Sequence, residues 1–238
     1  MAFLTAIFAI FIERILRKKE HWFNYRSLAE GIKAESWRFC MKTEPYDRQK
    51  DETFIETMRT LISEKIDSPI SKLRKAKDQS SWVTPEMLKK RGESPKERGC
   101  EYLKYRLGDQ KLWYEKKAWH TNRISLIFTF FVLAMLFLGV AISFIQFYQP
   151  WENLGIPGFI AALVGALSGW TQTKRYEWLA LTYARSHEEL EFLYQKYQQI
   201  FGVEGTIEEG DGEKELQSMV RETEAVISTE HRVWFHRK

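Results

Sequence analysis

Histidine, cysteine and carboxylate side chains are the groups that most often hold metals, attack carbonyls or move protons. This sequence spreads them out. Its five histidines are His21, His120, His187, His231 and His236. No two sit in the His-Glu-x-x-His spacing that aims two imidazoles at one zinc ion. Cys40 and Cys100 lack metal or redox spacing and read as reduced thiols of a cytosolic portion. A glycine-rich phosphate loop, a dinucleotide fingerprint and a nucleophile elbow are all missing from the sequence. Carboxylates are abundant, but no spacing sets one opposite another. The sequence therefore predicts no catalytic residue, no metal site and no cofactor.

Two stretches do place polar groups where chemistry of another kind is possible. In "YLKYRLGDQKLWYEKKA", Arg106, Gln110, Trp113, Tyr114 and Lys117 lie close to one helical face. In "VRETEAVISTEHRVW", Glu224, Ile227, His231 and Trp234 share a face, so two ionisable groups interrupt an apolar stripe. An inward Glu or His needs a partner, and an Arg or Gln of a neighbouring helix supplies one. Such a polar core pair is also a natural two-state element, so a switch or a ligand contact is the second reading of the same residues.

The elements that must position these groups come in two kinds. The chain has 238 residues, a net charge of +4 and 29% charged residues, with a mean hydropathy of −0.41 and a pI near 8.9. That charge is too mild to call for nucleic acid, and none is expected as a partner. Yet Ile124 to Tyr148 carries no formal charge, and neither does Leu154 to Gln172. A membrane-spanning helix needs roughly 20 apolar residues, so both stretches qualify. Lys and Arg gather at the outer flanks, "EKKAWHTNR" and "TKR", while the connection is only "QPWEN". Cytoplasmic flanks collect those residues, which places the hairpin tip at 149–153 outside and both soluble regions inside. Polar residues within the spans are few. Ser143, Ser168 and Gln172 are the ones available to line a pore, and such a pore would need several subunits.

The soluble parts read as helices throughout. Glu13 to Met41 has helical spacing at Trp22, Tyr25, Leu28, Ile32 and Ser36, and Pro45 marks its end. Asp51 to Ile66 is amphipathic. Residues 67–100 form a basic, proline-bearing connector with short helical pieces, one of them capped by Thr84 with Pro85 in its first position. A helix from Cys100 feeds the first span and is weakened at Gly108. Thr173 to Phe201 is one long helix with a heptad-like stripe at Leu179, Tyr183, Ser186, Leu190, Leu193, Tyr197 and Ile200. The last helix turns Leu216, Val220, Ile227 and Trp234 to one side. The expected fold is an all-α membrane protein, a transmembrane hairpin continuous with a cytoplasmic helical bundle.

An internal repeat adds to this. "GFIAALVGALSGWTQTKRYEW" set beneath "AFLTAIFAIFIERILRKKEHW" pairs Phe159 with Phe3, Ala162 with Ala6, Lys174 with Lys18, Arg175 with Lys19 and Trp178 with Trp22. The opening apolar run is then the inner half of a spanning helix. The small residues Gly158, Ala162, Gly165 and Gly169 share one face, which suits close helix packing in lipid.

Taken as ordered sets, these motifs resemble the SLATT domains, two-span effector domains associated with nucleotide second-messenger systems in bacteria. From Glu101 onward the resemblance rests on Tyr102, Arg106, Gln110, Trp113, Tyr114, Lys117, Glu224, Glu230, His231 and Trp234. Trp22, Arg26, Ala29, Glu30, Trp37, Pro45 and Tyr46 resemble the helix after the second span of another SLATT type. The arrangement is thus tandem: an incomplete first unit at 1–66, a linker at 67–100 and a second unit at 101–238. The resemblance implies a bacterial inner-membrane effector of a defence system, which oligomerises with copies of itself into a pore in the lipid bilayer. Its trigger would be a nucleotide second messenger, or the synthase or sensor of one. The alternative is a non-conducting membrane scaffold or sensor that recruits a soluble partner through the bundle.

Overall fold

The computed structural model describes residues 25–48, 51–65, 82–148, 155–202, 205 and 211–235, with the side chains at 64, 65 and 229–235 left out. The N-terminal apolar run, Trp22 and the hairpin tip at 149–153 lie outside the described residues. So do the side chains of Glu230, His231 and Trp234. Among the described residues every regular element is a helix. They are α1 at 25–40, α2 (Asp51–Lys65), α3 (Pro85–Gly92), α4 (Pro95–Tyr102), a π turn (Leu103–Gly108), α5 (Asp109–Tyr148), α6 (Ile156–Lys174), α7 (Tyr176–Phe201) and α8 (Gly212–Phe235). The chain divides into two compact units, Met1–Leu107 with Leu193–Lys238, and Gly108–Phe192.

In the first unit, α1 stops at residue 40, well before Pro45. Lys42 takes a left-handed φ of 53°. The Thr43 amide donates to the Arg38 carbonyl at 3.1 Å and the Lys42 amide to the Phe39 carbonyl at 3.3 Å. That is a Schellman ending with Lys where Gly is usual, and it ends the helix without help from the proline. Tyr25 is 52% exposed, while Leu28 is buried and is the first buried position of α1 among the described residues. Phe39, Tyr46, Phe54 and Met58 build a small apolar core with Trp82, Val83 and Met87 packed against it. Phe54 and Met58 are one turn apart on α2, as its amphipathic pattern predicts.

The described part of the basic connector, 82–100, is more ordered than its composition suggests. Thr84 caps α3 as expected, accepting from the Met87 amide at 3.3 Å. Ser94 and Glu97 form a reciprocal capping box at the start of α4. Arg91 and Arg98 are almost wholly buried. Arg91 donates to the carbonyls of Phe39 and, at 2.9 Å, Tyr46. Arg98 donates to Met41 O at 2.8 Å and pairs with Glu213. Both guanidinium groups thus sit on carbonyls at and beyond the end of α1, where positive charge is favoured. Across the unit, α8 buries Leu216, Met219, Val220 and Ile227, matching the predicted stripe where its side chains are described. Gly99 lies so close to the Phe201 ring that a Cβ there would overlap it.

The second unit holds the apolar helices. The helical run Pro95–Tyr148 contains a window of mean hydropathy 2.6, none of it buried. It is the one helix among the described residues that is long and apolar enough to cross a membrane. The second apolar stretch does form a helix, α6, which packs against α5. At that contact Ile160 is buried and approaches within 3.3 Å of where a Gly139 Cβ would stand. The small-residue face points elsewhere: a Cβ on Gly158, Gly165 or Gly169 would meet nothing within 4 Å, and Ala162 is exposed. Within one chain, then, that face is not what holds the hairpin together.

The helix expected from Thr173 to Phe201 is broken at its start. Arg175 takes a left-handed φ of 49° between α6 and α7. Along α7 the buried positions are Ala180, Tyr183, Ser186, Leu190, Leu193, Tyr197 and Phe201. Leu179 and Ile200, predicted from a heptad, give way to their neighbours. A straight α-helix repeats every 3.6 residues rather than 3.5, so a heptad stripe drifts off the buried face at both ends.

Two substitutions test the Gly99 contact. Gly99→Ala should lower stability by about 1–3 kcal/mol through overpacking, whereas Gly92→Ala, with nothing within 4 Å, should leave it unchanged or raise it. Thermal unfolding of the two variants in detergent decides this, and equal melting temperatures would refute it. Thiol labelling tests burial in the same unit. Cys100 is exposed, while burial pushes the Cys40 thiol up to about 11. At pH 8, Cys100 should react at once and Cys40 only on unfolding.

Candidate functional site

The polar residues singled out on α8 and before α5 meet inside the first unit. Glu224 is 2% exposed and the facing Arg106 side chain 3%. Arg106 Nε donates to Glu224 Oε1 at 2.8 Å and Nη2 to Oε2 at 2.9 Å. This is a two-toothed guanidinium–carboxylate pair, the strongest geometry available to such groups. Tyr102 Oη donates to the same Oε1 at 3.0 Å. The carboxylate therefore accepts three hydrogen bonds in a place water does not reach.

Local backbone explains how Tyr102 and Arg106 both arrive. Tyr102 immediately precedes the π turn Leu103–Gly108 and Arg106 lies within it; Leu103, Arg106, Leu107 and Gly108 are all buried there. Positions four apart share one helix face, so both side chains address one carboxylate. Gly108, where the sequence predicts a weakened helix, closes this turn.

A third helix reaches the pair. Glu30 of α1 lies 3.4 Å from Arg106 Nη1 and 3.1 Å from Lys33. Trp37 meets the Tyr102 ring edge-on at 5.5 Å, and Lys90 stands over Trp37 at 5.7 Å. Two positions of the N-terminal motif, Glu30 and Trp37, are thus partners of two positions of the C-terminal motif. Spacing alone links residues along one helix and gives no signal for this meeting. Arg26, on the same helix, is half-buried.

The electrostatics follow the packing. Burial would lower the charged form of Arg106, but the hydrogen bonds and charge of Glu224 outweigh it, so its proton is held more tightly than usual. Burial and the adjacent carboxylate push the Tyr102 hydroxyl well above 10, so it stays a donor. Burial raises Glu30, yet Lys33 and Arg106 together bring it below 4.5. The Glu30 contribution to stability is therefore complete above pH 4.5 and fades below it as the carboxylate protonates.

The remaining predicted residues fall elsewhere. In the second unit, Trp113, Tyr114 and Tyr183 form an aromatic cluster, with Trp113 edge-on to Tyr114 at 4.9 Å and to Tyr183 at 5.9 Å. Lys117 lies over Trp113 at 5.7 Å, and Gln110 is half-buried. His187 Nδ1 is 3.1 Å from the Lys111 carbonyl, and Lys111 pairs with Glu191 at 3.0 Å. Ser143 Oγ donates to the Gly139 carbonyl at 2.8 Å, one turn back on its own helix. Ser168 is half-buried and Gln172 exposed. Among the described residues no three His, Cys, Asp or Glu gather where an ion would sit.

Comparison with known proteins agrees with the motif positions. Residues 102–234 match the family described as SMODS and SLOG-associating 2TM effector domain 1, and residues 1–99 match effector domain 3. No curated protein and no solved structure matches the chain. The boundary between the two matched regions falls inside α4.

Removing one partner of the buried pair leaves the other charge stranded. Arg106→Met or Glu224→Leu alone should cost about 3–5 kcal/mol, and the double variant should recover much of that loss. Tyr102→Phe should cost about 1.5–3 kcal/mol. Denaturant unfolding of the four proteins measures the coupling, and additive losses would show that the pair is not a unit.

Proposed function

The chain belongs to the family of SMODS- and SLOG-associating 2TM effector domains and carries two of them in tandem, and from that premise we propose that it is a membrane effector held at rest by the Arg106–Glu224 clasp. The observation that carries this is the apolar face of α5. Phe130 is 68% exposed, Phe137 74% and Phe147 82%. Water does not tolerate such a surface, and lipid does. The hydroxyl groups of Thr129, Ser143 and Thr173 each return to a carbonyl one turn back, which is how polar side chains are satisfied in hydrocarbon.

In this reading α6 is the second span, shorter and closed by Trp170 and Lys174 at its end. The basic flanks stay cytoplasmic, the tip faces outward, and the membrane is the bacterial inner membrane. The protein works without catalysis. A nucleotide signal, or the protein that makes or senses it, unfastens the clasp. The freed bundle lets several chains assemble, and the hairpins then breach the bilayer. The clasp suits this role because Arg106 stands, in sequence, just before the helix that enters the membrane. A bidentate pair with two carboxylates in reach is a discrete arrangement that a ligand can exchange for another.

Dye release from liposomes tests the proposal. Arg106→Met and Glu224→Leu should leak faster than the parent chain, and Cys40 should become reactive in step with leakage. Absence of leakage from the parent chain and both variants, under every oligomerising condition, would overturn it.

A further inference from the structure

The second unit carries a ring of cations at one end of its hairpin that nothing in the clasp uses. On α5, Lys116, Lys117 and Arg123 precede the apolar run, and the two lysines line a shallow groove with Trp113, Glu115, Trp119 and His120. Lys174 and Arg175 follow the apolar part of α6. Phe128 stacks on Tyr176 with ring centres 5.8 Å apart and planes 9° from parallel. The two basic groups are therefore at the same end of the hairpin.

Three of the cations lie over tryptophan rings. Arg123 is 5.3 Å from the centre of Trp119, Lys174 is 4.6 Å from Trp170, and Lys117 is 5.7 Å from Trp113. Trp119 is 63% exposed and Trp170 51%. Lys116 and Arg175 have no ion-pair partner among the described residues. Glu115 is the acidic member of the groove, one carboxylate against several cations. Aromatic rings holding cations beside an apolar helix are complementary to a layer that is anionic on one side and hydrocarbon on the other.

Position fits as well as charge. Trp119 precedes Ile124 by five residues, or about 7 Å of helix rise, which is the depth of the headgroup layer. Arg123 and Lys174 border the apolar helices directly. Arg175, in its left-handed conformation, turns the chain away from α6 at that level.

We infer that this belt is a binding site for anionic phospholipid headgroups, and that the protein requires a negatively charged leaflet to seat its hairpin. The inference rests on the membrane reading given above and adds the lipid class. Each Lys or Arg near an anionic surface is worth about fivefold in association at physiological salt, and the advantage shrinks as salt shortens the Debye length.

The test reconstitutes the full chain into vesicles of phosphatidylcholine alone or with phosphatidylglycerol. Carbonate extraction reports insertion, and native mass spectrometry of the detergent-released protein reports retained lipid. The parent chain should resist extraction in the mixed vesicles and retain phosphatidylglycerol at least tenfold over its share of the mixture. Lys116→Gln/Lys117→Gln/Arg123→Gln should lose that preference while keeping the parent's circular dichroism, and 0.5 M salt during reconstitution should mimic the variant. Glycerol 3-phosphate at millimolar concentration should not displace the retained lipid; displacement would mean a free-phosphate site and overturn the assignment to lipid. Stable insertion with equal retention of both lipids, or a preference unchanged in the triple variant, would overturn this inference alone. Failure to insert in either vesicle would overturn the membrane reading and this inference together.

Discussion

A carboxylate and a guanidinium removed from water must have each other. That constraint fixes how Tyr102, Arg106 and Glu224 sit, and through them how the first unit is assembled. Desolvating each charge costs several kcal/mol, which pairing and hydrogen bonding only roughly offset. The pair is therefore poor at adding stability and good at selecting one arrangement. A slide of α8 by one residue would take Glu224 off its partner and leave a buried carboxylate unpaired. The π turn belongs to the same logic. It holds Arg106 one turn on from Tyr102, so that both meet one carboxylate, and the α-helix resumes at Asp109.

The other buried arginines show a second use of the same chemistry. Among the described residues the carboxylate that pairs with either Arg91 or Arg98 is Glu213, at the surface. Their main partners are backbone carbonyls around the end of α1, at Phe39, Met41 and Tyr46. Helix C-termini carry partial negative charge and orphan acceptors, so a guanidinium serves there as a cap delivered from another part of the chain. This accounts for why a stretch rich in Lys and Arg, "LKKRGESPKERG", is part of the fold rather than a solvated tether. Its proline, Pro95, begins a helix instead of breaking one.

Much of this was legible in the sequence, and the parts that were not share a cause. Periodicity located α2, α7 and α8, and residue chemistry located the Thr84 cap and the polar interruption at Glu224. The pairing of an inward Glu with an Arg from a neighbouring helix followed from the cost of burying charge. Which helix supplied the Arg, and that Glu30 and Trp37 would join it, did not follow, because contacts between distant segments leave no mark on spacing. The helical pattern to Met41 gave the end of α1 within a residue, but the device that ends it was hidden for a different reason. Lys at a left-handed position carries no sequence signature, whereas Pro45 five residues on carries a strong one that plays no part in ending the helix. The break at Arg175 was hidden in the same way.

The compact units and the matched family regions divide the chain differently, and the difference has a physical reading. The effector-domain 3 and effector-domain 1 regions meet between residues 99 and 102, in the middle of α4. The first compact unit nevertheless contains α1 to α4 together with α8. Gly99 is packed against Phe201, Arg98 against Glu213, Trp37 against Tyr102 and Glu30 against Arg106, so each side of the sequence boundary completes the other. A helix carries no hinge unless something interrupts its hydrogen bonds, and α4 has no interruption before the π turn. The tandem domains therefore share one hydrophobic interior in their water-facing part. Through Glu30, α1 is in direct contact with Arg106.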